Sequence, residues 1–427
     1  MEFLVLVVLP VVMLMFGVPI FVALVAAGTV GMIVLELGSP NQIHSAMFGN
    51  LDSFPLLAVP LFILAGEIMG RGGIARRLVD WVLSIIGGVR GSLALTTIGS
   101  AELFGAMSGS SVGCVAAIGR LLMPSLTSNG YSRTFAGSLI CSSGCIATII
   151  PPSIPMIIYG VAAQQSVPKL FLAGIVPGLL IGGMVSIYLL YYARKNNIPA
   201  TEGTSIRRFL TATRTAFWSL LAPVVVLGSI YAGVATPTEA AGVACVYAAL
   251  VSMFIYREMT VRELITTVLE AGKLVSQILI IVASAGAYSY LITTSGLPNK
   301  LVSLITSFNL DLWMLLLVIN VILLFVGSIL EPPAAILILA PLLVPIVGAA
   351  GMDQIHFGII VTVNLALGMF MPPFGLNIFA THALFGVPMQ SLYRGILPFL
   401  AIYFAALMLI TYVPAITLAP LRLFGMK

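Results

Sequence analysis

Apolar runs of about 20 residues follow one another along almost the whole chain, and the polar positions between them fall in short clusters. Runs of that length match the hydrocarbon thickness of a bilayer when coiled as helices, so the pattern predicts a polytopic helical membrane protein. Residues 1–36 are almost wholly apolar and are punctuated by Gly17 and Pro19, which predicts a short first span and a second that starts near Pro19. Residues 37–53 read as a polar loop without Lys or Arg, and a third span covers about 54–69. Residues 71–81 open an amphipathic stretch: Leu78, Val79, Val82 and Leu83 share one side, and Arg76, Arg77 and Asp80 the other. Such a segment lies along the interface.

Several long runs carry helix-stopping residues at their middle. In residues 324–346, Gly327 and Ser328 can end one half-helix and Pro332 and Pro333 can start the next, with Glu331 between them. Irregular backbone is tolerated in hydrocarbon only where it is buried in protein or lines a cavity, so this reads as a re-entrant hairpin. The alternative is a kinked spanning helix whose Glu is hydrogen-bonded to a neighbour. Residues 92–126 form the other candidate hairpin, with Ser108, Gly109, Ser110 and Ser111 at its tip. The following span, 135–163, breaks between Thr148 and Ser153 at Pro151-Pro152. Residues 170–192 are an ordinary span, and the polar linker 193–214 is the natural midpoint.

After the linker the pattern starts again. Pro237 stands to its span as Pro19 does, Ala285-Gly286 as Ala65-Gly66, and Pro372-Pro373 as Pro151-Pro152. Lys300-Leu301-Val302 answers Arg77-Leu78-Val79, and Gly327-Ser328 answers the Ser108 tip. All are offset by about 220 residues, the weak internal symmetry of a transporter built from two repeats. The expected fold is an all-α membrane protein of two inverted repeats, 1–192 and 215–427. Each has a hairpin (about 92–126 and 312–349) and a broken helix (about 135–163 and 355–386).

Composition agrees with that fold: 60% of the 427 residues are hydrophobic, 8% are charged, and the mean hydropathy is +1.15. The net charge of +5 encodes orientation rather than a nucleic-acid surface, because Lys and Arg sit in short loops and form no continuous basic face. With the linker on the cytoplasmic side, only Lys169, Lys300, Arg422 and Lys427 fall outside, as the positive-inside rule favours. The N-terminal apolar stretch lacks a basic leader and a small-residue cleavage site, and reads as mature structure. Cys114, Cys141, Cys145 and Cys245 lie in apolar segments as small hydrophobes, and His44, His356 and His382 are too scattered for a structural metal site. No phosphate-binding Gly-Lys-Ser/Thr loop is present, so nothing points to nucleotide hydrolysis or to any other enzyme.

A hairpin tip presents carbonyls of one half-helix and the N-H groups of the next, and so can serve a cation and an anion together. Pairing each tip with its own broken helix predicts two Na+ sites. One uses Ser108, Ser110 and the carbonyls from Thr148 to Pro151; the other uses Gly327, Ser328 and the carbonyls from Gly368 to Met371. Oxygen ligands without a carboxylate cage suit Na+. Interhelical packing is the competing role for these serines. Substrate is expected between the sites, near Ser111, Pro152, Ser153, Pro373 and Asn377. No Lys or Arg occurs in 134–168 or 312–393, so an anion there relies on helix N-termini, hydroxyls and cations. Glu331, Glu102 and Asn364 are possible modifiers, with helix packing a nearly equal role for both Asn364 and Asn377. Thr236-Pro237-Thr238-Glu239 has the form of a capping box, and Glu67–Arg71 and Arg76–Asp80 read as pairs along a helix surface.

The Gly17-Val18-Pro19 entry, the Ala235–Ala241 run (Ala-Thr-Pro-Thr-Glu-Ala-Ala), the Pro-Pro breaks and the two hairpins together resemble the large membrane subunit of a TRAP (tripartite ATP-independent periplasmic) transporter. The resemblance covers essentially the whole chain. It implies a Na+-driven importer of small organic acids, such as C4-dicarboxylates or sialic acid, in a bacterial inner membrane, with an elevator-like transport part moving against a scaffold. It also implies two partners, a periplasmic binding protein that delivers substrate and a small membrane subunit, expected as a separate chain because the first repeat starts at Met1. The competing readings are a stand-alone Na+ or H+ coupled carboxylate symporter or antiporter, and an assembly subunit without transport of its own. Helix breaks at mid-membrane argue against the last, since they cost stability and serve no scaffold role. Ser328→Ala is expected to weaken Na+ dependence of uptake; an unchanged Na+ activation curve counts against the second cation site.

Overall fold

Why so apolar a chain does not collapse into one bundle of straight spans is answered by its caps and breaks. The computed structural model describes residues 2–37, 39–201, 203, 205–307 and 311–425; Lys427 lies outside them. Among the described residues every element is helical, and eight helices are long and apolar enough to cross a membrane, or up to ten if each bent pair counts as one span.

Helix α1 (Leu4–Met15) turns at Gly17, whose φ of +78° suits a residue without a Cβ, into α2 (Ile20–Val34), directly after Pro19. The stretch expected as a polar loop instead contains α3 (Pro40–Leu51). Its start is a capping box: the Ser39 N-H donates to Gln42 Oε1 at 3.1 Å, and Pro40 occupies the first turn. Polarity alone concealed a helix that is specified by its cap. A single turn at Phe54–Leu57 leads into α4 (Ala58–Arg71), followed by α5 (Ile74–Ile86). The latter is amphipathic as expected, burying Ile74, Ala75, Leu78, Val79 and Val82. Its cations reach across the fold: Arg76 and Arg77 each pair with Glu258 at 2.7 Å, and Arg77 lies 3.6 Å over the Tyr256 ring. The ion pair of Arg76 thus runs to the turn beyond α12 instead of along its own helix to Asp80.

The first hairpin is α6 (Ser92–Ser108) and α7 (Ser111–Ser128), with the turn at Gly109–Ser110. Then α8 (Arg133–Ile149) and α9 (Ile154–Ala162) form a broken helix bent by 42° around Pro151-Pro152. Long spans follow: α10 (Val167–Lys195), α11 (Ile206–Tyr231) and α12 (Pro237–Leu250). The expected box opens α12, with the Thr236 N-H donating to Glu239 Oε2 at 2.8 Å and the Glu239 N-H returning to Thr236 Oγ1 at 3.3 Å. A second box, Thr260 with Glu263, opens the 34-residue α13 (Val261–Thr294). That helix crosses α3 closely: Asn50 Nδ2 donates to the Val282 carbonyl at 2.6 Å, and a Cβ on Gly286 would lie 2.6 Å from the Ala46 carbonyl oxygen.

After α14 (Leu297–Ser307), the second hairpin is α15 (Leu312–Ile329) and α16 (Pro332–Ala349). Its turn falls at Leu330–Glu331, beyond the expected stop at Gly327-Ser328. The Ser328 hydroxyl donates to the Phe325 carbonyl at 2.7 Å, inside the last turn of α15. Pro332 and Pro333 set the tip, because they start the returning helix and leave Gly327-Ser328 free to continue the first arm. The second broken helix is α17 (Gln354–Gly368) and α18 (Leu376–Phe385), separated by a longer break, Met369 to Gly375. Both Pro-Pro bonds, 151–152 and 372–373, are cis. The chain ends with α19 (Met389–Gly395), α20 (Leu397–Tyr412) and α21 (Ala415–Leu423).

Each hairpin meets its broken helix where only glycine allows it. A Cβ on Gly105 of α6 would sit 2.6 Å from the Ala147 Cα of α8, and one on Gly368 of α17 would overlap the Gly327 backbone of α15. Gly368→Ala must therefore push two main chains apart, at about 1–3 kcal/mol for overpacking. We expect a lower melting temperature for the detergent-solubilised protein, with Gly183→Ala, which meets nothing within 4 Å, as the unshifted control. Equal melting of the two variants would refute the close crossing.

Candidate functional site

Both hairpin tips open on one cavity of about 420 Å³. From the first hairpin it is lined by Ser108 through Gly113, from the broken helix by Thr148, Ile154 and Pro155, and from the second hairpin by Glu331 to Pro333. A second cavity of about 430 Å³ lies against Gly327, Ser328, Leu330 and Glu331, with Pro19, Ile20 and Phe21 on its far side. Glu331, Met369 and Leu376 belong to both.

The first tip is tight because Gly109 (φ +60°) lies against the break of the next helix, where a Cβ would stand 2.6 Å from the Pro152 carbonyl oxygen. Ser110 caps α7, its hydroxyl accepting from the Gly113 N-H at 3.2 Å, and the first-turn N-H groups of Ser111 and Val112 have no intrahelical acceptor. The Ser108 hydroxyl is buried and has no hydrogen-bond partner, in a position bordering the cavity. Such an orphan is costly unless something the protein binds completes it. At the second tip Glu331 occupies the same N-cap position that Ser110 holds in the first, yet its side chain caps nothing and is exposed to the cavities. With Pro332 and Pro333 lacking N-H groups, the second tip offers an anion fewer donors than the first.

Of the predicted cation ligands, Ser108, Ser110 and Thr148 line the first cavity, and Gly327 and Ser328 the second. Pro151, Gly368 and Met371 lie behind them in the breaks and line neither. The Gly368 carbonyl accepts from the Met371 N-H at 3.0 Å, and the Met369 carbonyl from the Asn377 N-H at 2.8 Å. Of the predicted substrate residues, Ser111 borders the first cavity; Pro152, Ser153, Pro373 and Asn377 border neither. Ser153 is fully buried as the cap of α9, its hydroxyl donating to the Thr148 carbonyl at 2.5 Å. Pro373 is exposed, and its carbonyl accepts from the Tyr393 hydroxyl at 3.0 Å. Asn377 is fully buried as a clamp: Nδ2 donates to Ser111 Oγ at 2.7 Å and to the Cys141 carbonyl at 3.0 Å, tying α18 to α7 and α8.

Asn364 sits in a separate buried chain, donating to Asn320 Oδ1 at 2.6 Å while Asn320 donates to Thr411 Oγ1 at 3.2 Å. Glu102 faces away from both cavities, toward Gly182 of α10. Four polar lining residues escaped sequence reasoning: Glu67, Arg71, Arg120 and Gln277. Arg71 is held by Glu67 at 3.1 Å and Glu270 at 2.5 Å. Arg120 brings a guanidinium from the far part of α7, outside the segments judged free of cations. Its position along the same helix as the first tip was the available signal.

The family model described as "Tripartite ATP-independent periplasmic transporter, DctM component" matches residues 6–416. The chain is 41% identical over 403 residues to the C4-dicarboxylate TRAP transporter large permease protein DctM of Pseudomonas aeruginosa, covering 94% of each. It is 38% identical to the isethionate TRAP transporter permease protein DctMQ of Oleidesulfovibrio alaskensis, covering 94% of this chain and 64% of that one. In fold alone it is similar to the crystal structure of the Alcanivorax borkumensis YdaH transporter, with a TM-score of 0.59, 15% identity and 87% of each chain covered.

Asn377→Ala leaves the Ser111 hydroxyl and the Cys141 carbonyl short of a buried partner, which costs about 1–3 kcal/mol. A lower melting temperature is the expected outcome; a variant that melts like the parent would contradict the clamp.

Proposed function

This chain belongs to the DctM-component family of tripartite ATP-independent periplasmic transporters, as a large permease, and we propose that it imports a small organic acid by coupling its movement to Na+. The observation that carries this reading is the single cavity onto which both hairpin tips and the first helix break open. The unpartnered Ser108 hydroxyl beside Ser110 and Thr148 supports an oxygen-only cation site at the first tip. Among the described residues no three His, Cys, Asp or Glu side chains gather as a metal cage, so a cation here would draw on hydroxyls and carbonyls. Gly327, Ser328 and the Gly368–Met371 backbone make the second candidate. Free N-H groups at the start of α7 suit the carboxylate of a substrate, and C4-dicarboxylates and sialic acid remain the proposed substrate types.

In the proposed architecture, residues 1–192 and 215–427 are inverted repeats joined by a cytoplasmic linker. Hairpins and broken helices travel together against a scaffold that includes α10 to α12. The chain would work in a bacterial inner membrane with a separate small membrane subunit and a periplasmic binding protein. Reconstitution into proteoliposomes with an inward Na+ gradient tests the reading, using succinate, N-acetylneuraminate and isethionate with matching binding proteins. Uptake of one acid that needs both Na+ and its binding protein is expected, and Ser108→Ala should raise the Na+ concentration for half-maximal uptake several-fold. Uptake equally fast without the binding protein would replace the tripartite reading with a stand-alone symporter.

A further inference from the structure

The two cavities share five lining residues: Glu331 from a hairpin, Met369 and Leu376 from a broken helix, and Gln277 and Ile281 from α13. That helix gives the first cavity Leu274, Gln277, Ile278 and Ile281, and the second Gln277, Ile280 and Ile281. Gln277 is therefore its one polar contribution to either, and it faces both. It stands one turn past Lys273, where the charged first half of α13 gives way to its apolar second half, is exposed to the cavities, and makes no hydrogen bond to any described residue. An amide in that setting has no packing purpose. Leu would serve the helix better beside Leu274, Ile278 and Ile281, because an amide that lines a cavity without a partner is costly unless what enters the cavity satisfies it.

We propose that Gln277 is a specificity-determining residue that contacts the transported acid from the α13 side of the cavities. This rests on the transport reading above and adds to it the other half of the binding site. A carboxamide carries two N-H donors and one acceptor without net charge. It can give hydrogen bonds to a carboxylate or accept one from a hydroxyl or amide of the substrate, and it adds no Coulomb bias to a cavity already holding Glu67, Arg71, Arg120 and Glu331. Since it lines both cavities, it meets the substrate on either side of the tips.

Gln277→Leu and Gln277→Asn, compared in proteoliposomes with the three acids named above, separate substrate contact from ion coupling. For the transported acid, Gln277→Leu should raise KM by about ten- to a hundredfold, as loss of a hydrogen bond to a charged group does. The Na+ activation curve should stay unchanged, and Gln277→Asn should fall between the parent and the Leu variant. A KM for Gln277→Leu within about twofold of the parent, or a matching change in Na+ activation, would overturn the proposal. A second arm does not depend on the Leu variant folding. Gln277→Cys in liposomes should react with a membrane-impermeant methanethiosulfonate, above the background of the parent's own four cysteines, and each transported acid should slow the reaction. A thiol that is unreactive, or that no acid protects, would also overturn it. Failure of the parent to accumulate any acid under a Na+ gradient would instead strike the transport reading, and labelling would still decide whether Gln277 faces the cavity and meets an acid there.

Discussion

A helix that stops halfway through a bilayer strands backbone N-H and C=O groups where water cannot reach them, at several kcal/mol for each one left unmet. The fold is organised by how this chain resolves that cost. Its stops are brought against one another: the Gly109 turn abuts the break at Pro152, and Gly327 abuts Gly368 at the end of α17. The close approaches leave no room for a Cβ, so glycine positions mark them. Backbone groups that remain unpaired, such as the N-H groups of Ser111 and Val112, then face a cavity instead of lipid.

Much of the helix order was legible from the residues. Pro-Pro pairs and Gly-Ser clusters inside apolar runs marked where helices end, at Gly109–Ser110 and at both Pro-Pro bonds, since few other residues interrupt a helix in that way. The second tip was displaced because Gly327-Ser328 looks like a stop, whereas Pro332 and Pro333 decide where the returning helix starts. A serine can satisfy its hydroxyl within a helix, as Ser328 does with Phe325, so its presence near a tip does not fix the turn. What was not legible depended on contacts between distant segments. Nothing local to Asn377 announces Ser111 and Cys141 as its partners, nothing local to Arg76 announces Glu258, and the single amide in α13 gains meaning only once both cavities are seen to share it.

The two tips are equivalent in position and different in chemistry. Ser110 and Glu331 are both N-caps, but the serine is committed to the Gly113 N-H and the glutamate is committed to nothing. The first helix retains N-H groups at Ser111 and Val112 for an anion, while Pro332 and Pro333 remove theirs from the second. Anion affinity is thus weighted to the first hairpin, and a carboxylate that can accept from substrate hydroxyls or meet a cation is weighted to the second. Arg71 adds little net charge to this balance, because Glu67 and Glu270 already hold it.

On the α13 side of the cavities, the wall must be firm if contacts made against it are to discriminate between substrates. Helix α13 is anchored on both sides of Gln277, and the two anchors differ in strength. On one side the Arg71–Glu270 pair is largely exposed, and pairs of that kind contribute about 0–1 kcal/mol. On the other, Asn50 bonds the Val282 carbonyl, and Gly286 lets the α3 backbone approach so closely that a methyl group would not fit. Packing and a part-buried hydrogen bond, which salt does not screen, therefore fix the wall more firmly than charge does. The amide at its centre keeps its place against α3 and α4 while the Arg71 end of the helix retains freedom to adjust.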